Sequence, residues 1–362
     1  MGDIKLKKGT GILFVMAVLF ISSLLYLHYG GQNKHLGGSL WEVPGTVHYE
    51  ILDQAIKKFE SKYPNVKVEY EKGILSNDYS EWLSEQILKG TEPDVYLVLD
   101  EDFNTLASLG ALKNLDMLVG GDKEFDSNVF YSSVYKAGQY EGSQYALPME
   151  CNPTLMFVNK TLLQKEGIKV PDNDWTWDDF YDICKTIVKD SDGDGQMDQF
   201  GCYDYTWIQA VYSNGITPFN QSGTSSNFLD EKFSQSLEFV KRLEATNRNY
   251  QVTSNDFDLG KVAFRPFTFS DYRTYMPYPW RIKKYSGFEW TCIRMPAGPS
   301  GDNRSEMSAL MAGMSSRTEK KQCAWDFVKL LTTDTDIQKL VYEDTSAASV
   351  LKSVNTSQDT MN

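Results

Sequence analysis

The chain has 362 residues, 41% hydrophobic and 23% charged, which suits two domains with a buried core each and excludes a disordered or fibrous protein. Its formal net charge of -13 excludes nucleic acid and anionic lipid surfaces as partners, because a phosphate backbone is met by clustered Lys and Arg. Five cysteines, Cys151, Cys184, Cys202, Cys292 and Cys323, are too few and too scattered for a disulfide framework, and the odd count leaves a thiol free.

Residues 1–8 are basic, and residues 12–27 form a charge-free run. At 16 residues such a run lies at the lower limit, about 17, for crossing a hydrocarbon core. The flanking lysines predict a cytoplasmic N terminus and an exported remainder. Residues 1–30 are therefore read as one hydrophobic helix, a membrane anchor or signal segment. Leu27-His28-Tyr29-Gly30-Gly31 is a poor cleavage site, which favours the anchor. No cysteine precedes Cys151, so a lipid-bearing cysteine is absent. Residues 31–39 read as a Gly-rich spacer.

Residues 40–43 suit a first strand, after which Thr46 caps a helix whose Val47, Ile51, Ala55, Ile56 and Phe59 share one face until Pro64. Val66, Val68 and Tyr70 alternate as in a strand, and a helix over 79–88 stops at Gly90. The continuous apolar run 94–99 reads as a strand of a parallel sheet buried on both faces. Alternating helices and strands predict an α/β fold, with ligands beyond the carboxyl ends of its strands. Further on, 142–148 is a turn and short strand and 154–158 another strand. Thr176 with Asp179 is a capping box, 228–244 a helix, and Ser316 with Glu319 a second capping box. The helix after it buries Ala324, Phe327, Val328 and Leu331.

The aromatic content, 21 Tyr, 19 Phe and 8 Trp, is high, and many of these rings lie in polar segments such as Tyr203-Asp204-Tyr205-Thr206-Trp207. Aromatics placed off any apolar period suit a binding surface better than a core. Asp190, Asp192, Asp194, Gln196 and Asp198 place oxygen ligands at alternate positions with Gly195 sixth, the spacing of a calcium loop. The twelfth position is Gly201, where a bidentate Glu belongs. Either another segment donates that carboxylate or the loop is an acidic turn. A structural Ca2+ bracing this turn is the one metal expected, and no cofactor is required. Three histidines, His28, His35 and His48, leave little for a triad or zinc site.

Several pieces in order carry a resemblance: Phe59-Glu60, Tyr63-Pro64-Asn65-Val66, Pro93-Asp94-Val95, Leu109-Gly110-Ala111-Leu112, Tyr145-Ala146-Leu147-Pro148, Trp175-Thr176-Trp177-Asp178-Asp179-Phe180, Gly260-Lys261-Val262-Ala263-Phe264 and Ala324-Trp325-Asp326-Phe327. Over about residues 40–352 the chain resembles the extracellular solute-binding proteins of ABC importers, the family that includes the maltose-binding protein. The resemblance implies a type II periplasmic-binding-protein-like fold of two lobes, each a sheet flanked by helices, closing on a sugar or oligosaccharide that is handed to a membrane permease. It implies no catalysis, a monomer, and an extracytoplasmic protein that is membrane-held or secreted. Lobe one would be 36–150 and 308–352, lobe two 151–307, and 353–362 a disordered tail. The first crossing should lie near 150–152 and the return near 308–313.

A sugar needs rings for its C–H faces and fixed acceptors for its hydroxyls. With the resemblance, this nominates Trp41 and Glu42 after the first strand, Asp100 and Glu101 after the third, and Glu150 and Asn152 at the crossing. In lobe two it nominates Tyr205, Trp207, Phe269, Tyr272 and Arg273. Glu101 is expected to face Trp207 and Phe269 across the gap between lobes. Two other readings stay open: a membrane-anchored sensor for a signalling partner, and an importer component lacking the family's final lobe-two helices, with an apolar face left bare. A glycosidase is disfavoured, though carboxylate separation cannot be read from sequence.

Overall fold

The computed structural model describes residues 14–18, 23–29, 47–72, 78–220, 222–275, 287–345 and 347–356. The chain forms two compact units, residues 1–151 with 309–362 and residues 152–308. It leaves the first unit within the strand Ala146–Asn159 and returns within Met307–Met314.

In the first unit the helix Val47–Lys62 buries Ile51, Leu52, Ala55 and Phe59, the face its spacing dictates. The helix Tyr79–Lys89 ends at Gly90, whose φ of 73° lets its N–H reach back to the last carbonyls. The strand Val95–Val98 is buried along its whole length. Its neighbour Met307–Met314, however, runs antiparallel, with Met311 opposite Val98 and Gly313 opposite Tyr96. Burial on both faces produced the continuous apolar run that reads as a parallel strand, and burial does not depend on direction. Gly313 fits closely here: a Cβ would lie 2.5 Å from the Leu112 Cδ2 and 2.9 Å from the Val98 Cγ2, so both side chains would have to shift. Against this sheet the helix Lys321–Thr333 packs Ala324, Trp325, Phe327, Val328 and Leu331, all fully buried.

Three expectations for this unit need correction. The capping box at Ser316 and Glu319 does not form, because Lys320 is the residue before the helix and the Thr318 hydroxyl takes the Lys320 N–H instead. Within the N-terminal apolar run the described residues form two antiparallel strands, Phe14–Val18 and Ser23–Tyr29, in place of the expected helix, the second also paired with Val66–Lys72. A short apolar run lacks the periodicity that separates the two forms. Among the described residues no helix is long and apolar enough to cross a membrane. Finally, the tail expected to be disordered from 353 begins as a short helix, Lys352–Asn355, with Val354 buried. The expected strand 40–43, the Thr46 cap, the spacer, Trp41, Glu42 and residues 357–362 lie outside the described residues.

The second unit is built on a mixed sheet. Ala146–Asn159 is flanked by Val262–Thr268 and Trp290–Ile293, both antiparallel to it, and Phe200–Cys202 runs parallel to Val262–Thr268. The helix Trp177–Ile187 opens on the expected capping box, the Thr176 hydroxyl and Asp179 carboxylate each satisfying a free amide. The helix expected from 228 starts at Glu231, with Asp230 capping it through the Lys232 N–H. The core is aromatic: Trp177 stacks on Phe239 at 4.2 Å, and Phe180 and Trp175 meet Phe264 at 5.4 and 5.3 Å. All five cysteines are free thiols.

Candidate functional site

One face of the Ala146–Asn159 strand organises the polar groups of the second unit. Asn152 and Thr154 are two residues apart, so their side chains leave the strand on the same side. Asn152 donates through Nδ2 to the Ser270 Oγ at 2.8 Å and accepts the Ser270 N–H at 2.9 Å. This pins the helix Phe269–Tyr275, which Thr268 and Asp271 cap reciprocally. On that helix Phe269 stacks on Tyr272 at 5.8 Å, and Tyr272 meets Phe157 and Trp290 edge-on. Arg273 follows in its last turn, partly buried.

Thr154 reaches the other aromatic segment. Its hydroxyl donates to Oε1 of Glu306 at 3.3 Å, and its N–H donates to the Glu306 carbonyl at 3.1 Å. The same Oε1 accepts from Gln209 Nε2 at 3.0 Å. Gln209 cannot turn away, because its amide oxygen accepts the Thr206 N–H at 2.9 Å and hydroxyl at 2.7 Å in a capping box that opens the helix Trp207–Ser213. Trp207 is the first residue of that helix, 37% exposed and resting on Phe233 at 5.7 Å. The Trp207 and Phe269 segments are thus both tied to one strand face.

Tyr205 is not part of this surface. It is buried, its hydroxyl bonded to Trp177 Nε1 at 3.2 Å and near Ser213, and burial pushes the phenol well above its usual range. A large ring two residues before an exposed one found the core, as apolar rings usually do.

In the first unit Asp100 and Glu101 open the helix Asp100–Ser108 directly after the strand Val95–Val98, both exposed. Desolvation by the surrounding protein and then the Glu101 charge push the Asp100 carboxyl up to about 6, against a hydrogen bond from the Ala309 N–H. Glu150 is buried in the crossing strand, and burial pushes its carboxyl up to about 8.

In the acidic loop, Asp190, Asp192 and Asp194 bring carboxylate oxygens within 4.8 Å of one another. Asp190 accepts N–H groups from Gly193 and Gly195 at 2.6 and 2.7 Å, the Gly195 contact chiefly holding its carboxyl below the usual range. Asp198 accepts from the Ser191 N–H and hydroxyl instead.

Sequence reading missed Glu306, Gln209 and Thr154. The Thr206-x-x-Gln209 spacing is a readable capping box. Glu306 carries no local signal, since Thr154 lies 152 positions away.

The family model for bacterial extracellular solute-binding proteins matches residues 44–337. The diacetylchitobiose binding protein DasA of Streptomyces coelicolor is 26% identical over 223 residues, 60% of this chain. The match spans 50% of that relative's length. Among solved structures, the sugar-binding protein MalE from Xanthomonas citri superposes with a TM-score of 0.71 at 16% identity, covering 90% of this chain and 81% of that one. An ABC substrate-binding protein of Listeria monocytogenes in complex with cycloalternan gives 0.62 at 22% identity, covering 89% and 81%. These likenesses establish the α/β fold of the type II periplasmic binding proteins.

Proposed function

The chain belongs to the family of bacterial extracellular solute-binding proteins, and from that premise we propose that its solute is a sugar or oligosaccharide, delivered to an ABC permease in the membrane. It acts outside the cytoplasm and binds rather than catalyses, as the family does. The observation that carries the sugar reading is Trp207, an indole 37% exposed on a turn locked by the Thr206–Gln209 capping box and by the bond from Gln209 to the Glu306 carboxylate. A ring face for C–H groups beside fixed donors and acceptors is the pairing a carbohydrate requires. Phe269, Tyr272, Arg273, Asn152, Asp100 and Glu101 are the further binding residues of this reading, and the named ligands of the similar proteins support it.

A thermal-shift screen over mono- and oligosaccharides tests it. A ligand that binds only the folded state at a hundredfold excess over Kd adds about 2.7 kcal/mol of stability. Replacing Trp207 with Ala should weaken the best sugar at least about tenfold, the size of an ordinary hot-spot loss, with little change in the unliganded melting temperature. A screen of neutral and charged sugars that yields no shift would remove the carbohydrate assignment.

The finer points of location and assembly belong to the same reading. The protein works as a monomer, and residues 1–30 direct it to the cell surface, where it is membrane-held or secreted. Size-exclusion chromatography and cell fractionation check the two. The acidic loop takes a structural Ca2+ through Asp190, Asp192, Asp194 and the carbonyl at Gln196. Three carboxylates already gathered suit a hard cation, while Ca2+ takes about six to eight oxygens and the loop lacks the bidentate twelfth ligand, so the site is weak. Adding a chelator should lower the melting temperature, and an unchanged value argues for a simple acidic turn.

A further inference from the structure

We propose that Glu306 is a specificity-determining carboxylate of the second unit, accepting a hydroxyl of a neutral sugar whose C–H face lies on Trp207. The proposal rests on the carbohydrate reading above. It starts from how the carboxylate is held. Oε1 is clamped by Gln209 and Thr154, two neutral donors, and the backbone is clamped by Thr154 as well. Gln209 lies two residues on from Trp207, so its bond to Glu306 brings the carboxylate to the turn that carries the indole.

Charge marks the arrangement as more than a fastening. Glu306 takes part in no ion pair among the described residues, and the nearest basic residue in sequence, Arg304, is engaged twice by Asp302 at 2.6 Å. A fastening between neutral donors needs only a neutral acceptor such as Gln. A carboxylate instead retains a full charge, and its Oε2 carries no hydrogen bond among the described residues while the side chain is partly open to solvent. One oxygen fixed and the other free is the geometry that presents a strong, directed acceptor to a ligand hydroxyl. A hydrogen bond to a charged group discriminates a hydroxyl from its absence far better than an apolar contact does.

The test uses calorimetry on the full chain with diacetylchitobiose, maltotriose, mannobiose and cycloalternan as probes. Glu306→Gln keeps an acceptor for Gln209 and Thr154 but removes the charge. Its unliganded melting temperature should stay at the wild-type value. Its affinity for the tightest probe should fall about 10- to 100-fold, the range for a charged hydrogen bond. Deoxy analogues of that probe add the reading a fastening role would not move: the analogue missing the accepted hydroxyl should bind wild type and variant alike. Glu306→Asp, which keeps the charge but withdraws it by one methylene, should lose affinity similarly and serves if the Gln variant is unstable. Wild-type affinity in both variants, or a lowered melting temperature with every probe bound as before, overturns the role and leaves Glu306 a fastening. If wild type binds no carbohydrate at all, the sugar reading falls first and this inference with it.

Discussion

Glu150 is a carboxyl in the wrong medium. It is buried in the crossing strand, and burial raises its pKa from the ordinary 4.5 to about 8. Between those two values the folded protein holds a proton that the unfolded chain has released, so stability falls as pH rises from about 4.5 to 8 and levels off beyond. Asp100 is raised too, to about 6, but its side chain is exposed, so solvent screening leaves only a small fall of the same sign. Asp122 works oppositely. Burial pushes it up, but Lys329 at 2.5 Å and the Trp325 N–H at 2.9 Å prevail and hold it at about 2. That contribution is present above pH 3.8 and is lost as pH falls through 2. Glu150→Gln should therefore match wild type near pH 4 and exceed it at pH 8 by on the order of a few kcal/mol, as denaturant curves at the two pH values would measure. Parallel stability-pH profiles for the two proteins would show that Glu150 is ionised in the fold. None of this is visible in sequence, where Glu150 is an acid with no helix to cap. At the same scale the exposure of Trp207 was legible because a ring in a polar segment has no core period to join. Tyr205 two positions earlier looked identical, and only Trp177, whose Nε1–H donates to its hydroxyl, and Ser213 beside it decide that it is buried.

Elements whose cause is local were legible. The helices at 47–62 and 79–89 follow from apolar spacing and a stop residue, and both form. Those whose cause lies elsewhere in the chain were not: the direction of the strand Val95–Val98 is set by Met307–Met314, and the apolar run near the N terminus pairs with Val66–Lys72. The two capping-box patterns separate the cases cleanly. At Thr176 the hydroxyl and the Asp179 carboxylate complete the box, whereas at Ser316 the chain turns through Ser315 and Thr318, whose hydroxyls meet Glu92 and Asp94, before the helix begins. Thr176→Ala should cost about 1 kcal/mol, the ordinary value of an N-cap. Ser316→Ala should stay within about 0.5 kcal/mol of wild type, as surface changes without a partner do. Urea denaturation of both variants checks this, and an equal loss at the two sites would mean that the second box does form in solution.

Across the whole molecule the dominant electrostatic fact is a net charge of -13, and it bears on what kind of solute the protein can collect. Ordered short motifs over most of the chain were enough to place it among solute-binding proteins, but no code in those motifs states the charge of the solute. The long-range field does bear on it. An anionic solute would be repelled at low salt and bind more tightly as salt screens the field, whereas a cationic one would bind less tightly. A neutral sugar held by ring contact and hydrogen bonds feels neither effect, since the Debye length falls from about 10 Å at 0.1 M to 3 Å at 1 M without touching those short-range terms. The Kd for the best carbohydrate should therefore change by less than about twofold between 0.1 and 1 M NaCl, because only charge-charge interactions between separated groups are screened over that range. Calorimetric titration at the two salt concentrations measures it directly. A severalfold tightening with salt would point to an acidic sugar, and with it to Arg273, not Glu306, as the residue that selects the ligand.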